Sequence, residues 1–74
     1  MKEFIEHFAE QFEETEKSNF APRTKFRDLD EWSSLIALSV IAMSDEVYGI
    51  QLKADELRNA NTIEDLYNLV QSKL

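Results

Sequence analysis

Phenylalanine recurs every four residues at the start of the chain, at Phe4, Phe8 and Phe12. Ile5 and Ala9 stand beside them, while Glu3, Glu6, Glu10, Glu13 and Glu14 fill other positions. Apolar residues at that spacing share one face of a helix. The pattern predicts an amphipathic first helix over Lys2 to Glu16, its aromatic stripe turned into a core. The periodicity then fails from Lys17 to Ser33, where KSNFAPRTKFRDLDEWS holds Pro22 and several turn-forming residues. This reads as a loop longer than most connections in a small domain. A loop of that kind is functional or held by its own side chains, and Phe20, Phe26, Leu29 and Trp32 are suited to pin it down.

A second helix is expected to start at Ser33 or Ser34, serine being a favoured N-cap, and to stop before Gly49. Its wheel is unusual. Ala37, Val40, Ile41, Ser44 and Tyr48 share one side, yet Leu35, Ile36, Ala42 and Met43 lie largely on the other, where only Ser39 and Glu46 are polar. A helix apolar nearly all round cannot be wholly buried in so small a protein, so part of it should face a partner or a bound apolar ligand. Beyond Gly49, Ile50 and Leu52 suggest a short extended link, followed by a helix of one to two turns near Ala54 to Arg58. Thr62 with Asp65 three residues on resembles a capping box, opening a last helix that carries Ile63, Leu66, Tyr67, Leu69 and Val70. The fold class expected is all-α: one domain over residues 1–74, a small antiparallel bundle of three main helices plus a short third helix, with a long loop between helices one and two.

Composition narrows the chemistry. A chain of 74 residues buries roughly 60 to 65 % of its unfolded surface and has little room for an enclosed active site. The absence of Cys removes disulfides, thiol nucleophiles and thiolate metal sites. The single His7, without a second ligand at metal spacing, reads as solvated or half-buried. No nucleophile–base pair, metal constellation or phosphate loop stands out, so an enzyme is not expected. The longest apolar run, Leu35 to Met43, is interrupted by Ser39 and falls far short of the roughly 20 residues that span a bilayer. Met1 leads directly into KEFIEHF, so the expectation is a cytoplasmic monomer with no membrane association. A net charge of -7 argues against nucleic acid and for basic partners.

The order of parts from FRDLDEWSSL through DEVYGIQL to TIEDLYNLV resembles the acyl carrier protein family over essentially the whole chain. In that family a long loop leads to an Asp-Ser-Leu motif whose serine opens the second helix. Aligning the Ser-Leu pair selects Ser34, with Ser33 where the family usually carries Asp and Ile36 where an acidic residue often stands. The resemblance implies that a phosphopantetheinyl transferase attaches 4'-phosphopantetheine to Ser34, whose arm then carries an acyl or aminoacyl group as a thioester in fatty acid or secondary-metabolite biosynthesis. It implies that Ser33 caps the helix. Asp30, Glu31, Asp45 and Glu46 would meet basic patches on acyl-handling enzymes, and Leu35, Ile36, Ala42 and Met43 would form the apolar centre of that transient interface. A loaded acyl chain would fold back between helices, with Ser44 and Tyr48 setting its depth. The alternative is a carrier-like domain that is never modified and acts as a protein interaction module.

Overall fold

A computed structural model describes all 74 residues. Four α-helices and no strands form a small all-α bundle: α1 over Lys2–Ala9, α2 over Ser34–Met43, α3 over Ala54–Asn59 and α4 over Ile63–Lys73. None of them is long and apolar enough to cross a membrane.

The first helix is shorter than its periodicity predicts. It closes after Ala9 through tight three-residue bonds, Gln11 N to Phe8 O and Phe12 N to Ala9 O, while the Gln11 side chain donates to the His7 carbonyl. The physical reason lies in the acceptor available to the next amides. The backbone N–H groups of Glu13, Glu14 and Thr15 donate to the Glu31 carboxylate at 2.7, 3.0 and 2.9 Å, and the Thr15 hydroxyl donates to it at 2.8 Å. A carboxylate collecting amides makes stronger bonds than a helix carbonyl, so continuing α1 through the acidic Glu13-Glu14 pair would exchange good partners for poorer ones.

The connection from α1 to α2 is held as the sequence predicts. Phe20 and Phe26 are buried and Leu29 and Trp32 are half-buried against the core. Their rings join Phe8 and Phe12 in one cluster, with Phe12–Phe20 and Phe26–Trp32 centroids both 4.9 Å apart and Phe8–Phe26 at 5.6 Å. Two short 3-10 turns, Lys17–Asn19 and Phe26–Asp28, give the loop its local shape.

The loop also completes α4. The first amides of that helix, on Ile63 and Glu64, donate to the loop carbonyls of Thr24 and Pro22. The predicted capping box accounts for the next: Asp65 N donates to Thr62 Oγ1, and Asp65 Oδ2 accepts from Thr62 N and Asn61 N. On the other side of the loop the Arg27 guanidinium donates to the carbonyls of Leu57 and Ala60 and to Asn61 Oδ1, closing the end of α3.

The second helix runs on past Met43 as a π-helical turn over Ser44–Tyr48 and stops at Gly49, whose φ of 68° is left-handed. Buried Ser44 fastens the exit twice: its carbonyl accepts from Ile50 N and its hydroxyl donates to Ile50 O at 3.0 Å.

Two outcomes follow for stability. The Glu31 carboxyl is held down from 4.5 to about 2, first by the Glu13 amide, with burial opposing it, and then by the Thr15 hydroxyl and the Glu14 and Thr15 amides. A depressed folded pKa contributes stability that is complete above the unfolded value and is lost as pH falls through 4.5 toward 2. Glu31→Gln is therefore expected to melt several degrees below the unmutated chain at pH 7, with the two curves converging near pH 2. Thermal denaturation monitored by circular dichroism across that range checks it; a constant gap would contradict the role given to this carboxylate. At Gly49 an added Cβ would meet nothing within 4 Å, so Gly49→Ala carries only the backbone cost of the left-handed conformation. A loss of about 1 to 2 kcal/mol in urea unfolding is expected.

Candidate functional site

The start of α2 distinguishes its two serines. Ser33 is the N-cap, extended at φ -155°, and its hydroxyl accepts from Ile36 N at 3.3 Å while its carbonyl accepts from Ala37 N. Ser34 is the first helical residue and is exposed. The amides of Ser34 and Leu35 precede the first intrahelical acceptor and so point free at the helix start, and no acidic residue occupies the first turn.

Ser34 heads a strip. Residues Ser34, Ala37, Leu38 and Ile41 follow the spacing that places side chains along one helix face, and that face lines a groove of about 470 Å³ running between α2 and α3. Trp32 and Arg27 close it on the loop side, and Ala54, Leu57 and Arg58 form the α3 wall. The groove thus brings the candidate serine together with residues that the sequence analysis does not assign to the site: Ala37, Leu38 and Ile41 of α2, the loop residues Arg27 and Trp32, and Ala54, Leu57 and Arg58 of α3. The helical spacing from Ser34 is the signal that could have found the α2 residues. The arginines had no local signal, because only the fold carries Arg27 from the loop and Arg58 from α3 to one place.

The expected docking residues divide. Leu35 is 75 % exposed and Ala42 is exposed with it, and Leu38, at 62 %, joins them on the outer surface. Asp30 stands exposed near the start of α2, and Asp45 and Glu46 are exposed at its exit. Met43 is corrected: it is buried at 5 % because it lies about 60° around the helix from Val40, the most deeply inward position. Ile36 is half-buried and packs against the core, so it reaches this surface only at its edge. Glu31 is corrected as well, since both its oxygens are taken by the amides of residues 13–15 and it has little left for a partner.

Neither residue expected to limit a bound chain lies in the groove. The Ser44 hydroxyl is spent on Ile50 O. Tyr48 turns toward α1, 5.9 Å from the Phe4 ring and 6.2 Å from His7, and burial followed by the nearby Glu3 pushes its phenol up. His7 is half-buried, with Nδ1 3.2 Å from Glu10 Oε1. No group of three His, Cys, Asp or Glu residues is placed to hold a metal ion.

Comparisons with protein-family models, with curated proteins and with solved structures each find no match.

The different positions of the two serines predict different costs. Ser33→Ala removes the cap and is expected to destabilise the chain by about 1 kcal/mol. Ser34→Ala, at an exposed first-turn position, should change stability by less than about 0.5 kcal/mol. Urea unfolding of both variants checks the assignment, and the reverse order would mean that Ser34 is the cap.

Proposed function

We propose that the chain is a carrier whose Ser34 hydroxyl is the attachment point of a 4'-phosphopantetheine arm. The observation that carries this reading is the position of an exposed serine at the first residue of α2, relieved of capping by its neighbour and standing at the mouth of an apolar groove.

The residues present suit a phosphate at this oxygen. The free amides of Ser34 and Leu35 lie at the positive end of the helix dipole, which favours an anion, and no carboxylate sits in the first turn to oppose it. The chain contributes no base. In the transfer the Ser34 oxygen bonds to the pantetheine-bearing phosphorus of coenzyme A, the bond from that phosphorus to the adenosine portion breaks, and adenosine bisphosphate leaves. The serine proton passes to a base on the transferase. The bound arm supplies a thiol that holds an acyl group as a thioester, which lets a chain without Cys handle thioesters.

The outer surface of α2 suits brief contact with enzymes. Leu35, Leu38 and Ala42 form an apolar strip, and Asp30, Asp45 and Glu46 flank its two ends. A basic patch on a partner would be steered by those acids and seated on the apolar strip, giving fast encounter and modest affinity.

Incubation with coenzyme A and a panel of phosphopantetheinyl transferases is expected to add one arm, located at Ser34 by fragment mass spectrometry, and Ser34→Ala should abolish the addition without changing the helical circular dichroism. Addition at Ser33, or addition that persists in Ser34→Ala, would overturn the assignment. A chain left unmodified by the whole panel would favour the interaction-module reading.

A further inference from the structure

The groove beside Ser34 has an unexpected charge. The chain holds fifteen Asp and Glu against eight Lys and Arg, yet no acidic side chain lines the groove and two arginines do. The Lys73–Glu56 ion pair and the His7–Glu10 contact involve neither of them. Arg27 is fixed in place by the carbonyls of Leu57 and Ala60 and by Asn61 Oδ1. All three partners are uncharged acceptors, so its positive charge is bonded but not neutralised. Arg58 is exposed on α3. Apart from Ser33, Ser34 and the two arginines, the lining is apolar: Trp32, Ala37, Leu38, Ile41, Ala54 and Leu57.

We infer that this groove receives an acyl group ending in a carboxylate, its methylenes laid over Ala37, Ile41 and Leu57 and its charged end held by Arg58, with Arg27 as the fixed positive wall. The inference deepens the carrier reading, on which it rests only for how the acyl group arrives. A fully hydrocarbon chain would gain from the apolar strip but would leave two cations without a counterion at the groove wall. A carboxylate-ended chain satisfies both halves of the lining. For the phosphate of an arm the free Ser34 and Leu35 amides already offer donors at the helix start, and the test below separates the two sources of negative charge. In a protein of net charge -7, an anionic cargo needs a local exception to the surrounding field, and the two arginines form one.

The test uses the full chain, isotopically labelled, titrated in solution with pantetheine thioesters of equal carbon length, glutaryl-pantetheine and pentanoyl-pantetheine. Both are expected to shift the amide resonances of Ile41 and Leu57. The glutaryl compound should also shift Arg58 and bind about five-fold more tightly at low ionic strength, with the margin shrinking as salt screens the charge. Arg58→Gln should erase that preference and Arg58→Lys should keep most of it, while Ser34→Ala should leave it intact. Equal affinity for the two compounds, or a preference that survives Arg58→Gln, overturns the inference. A titration with 4'-phosphopantetheine lacking an acyl group separates the other source of negative charge: if Arg58→Gln weakens it as much as it weakens the glutaryl compound, the arginine serves the arm's phosphate and the cargo assignment fails. Because the ligands reach the groove from solution, these outcomes do not depend on whether Ser34 is modified.

Discussion

The burial of Phe26 is the contact on which the architecture turns. Its ring is fully enclosed, 5.6 Å from Phe8 of α1 and 4.9 Å from Trp32 at the approach to α2, with the Arg27 guanidinium over its face at 5.3 Å. One loop residue thus ties the first helix, the entry to the second and the arginine that closes the third. Aromatic rings bury large areas with few rotatable bonds, which makes them effective at fixing a segment that has little regular structure of its own. The backbone bonds agree with this packing: Pro22 and Thr24 complete the start of α4, and Glu31 gathers the amides that follow α1. A long connection held at so many points behaves as framework, so the serine pair at its end is delivered at a defined position and angle.

The second helix then serves three environments at once. Val40 and Met43 enter the core, Ala37 and Ile41 line the groove with Ser34 at its head, and Leu35 and Ala42 face outward. An ordinary amphipathic helix has one apolar stripe and one solvated face, and it could fill only the first of these roles. The outer apolar positions stay separated from the core by the width of the helix, so they remain exposed without weakening the packing beneath.

That division explains what the sequence reveals and what it conceals. The phenylalanine stripe of α1, the loop anchors, the Ser33 cap and the Thr62–Asp65 box are local patterns, each set by residues a few positions apart, and each is found in the fold. The end of α1 is not local. It depends on a carboxylate at Glu31 that the chain brings back only through the loop, so periodicity alone extends the helix to Glu16. Met43 is misread for a different reason: around a helix that is apolar on every side, hydrophobicity marks no inward direction, and only contact with the neighbouring elements does. Arg27 and Arg58 lie thirty-one positions apart, and their shared groove exists only once α3 has packed beside the loop.

Trp32 adds a practical consequence. It is the only tryptophan in the chain, and it lies with one side against Phe26 and the other on the groove. Indole emission depends on the polarity and wetness of its surroundings, so the molecule carries an intrinsic optical reporter on the wall of this groove. Filling the groove would displace solvent from that ring while the rest of the fold stayed silent in the same spectral window. Any binding in the groove can therefore be followed in real time on the unlabelled protein.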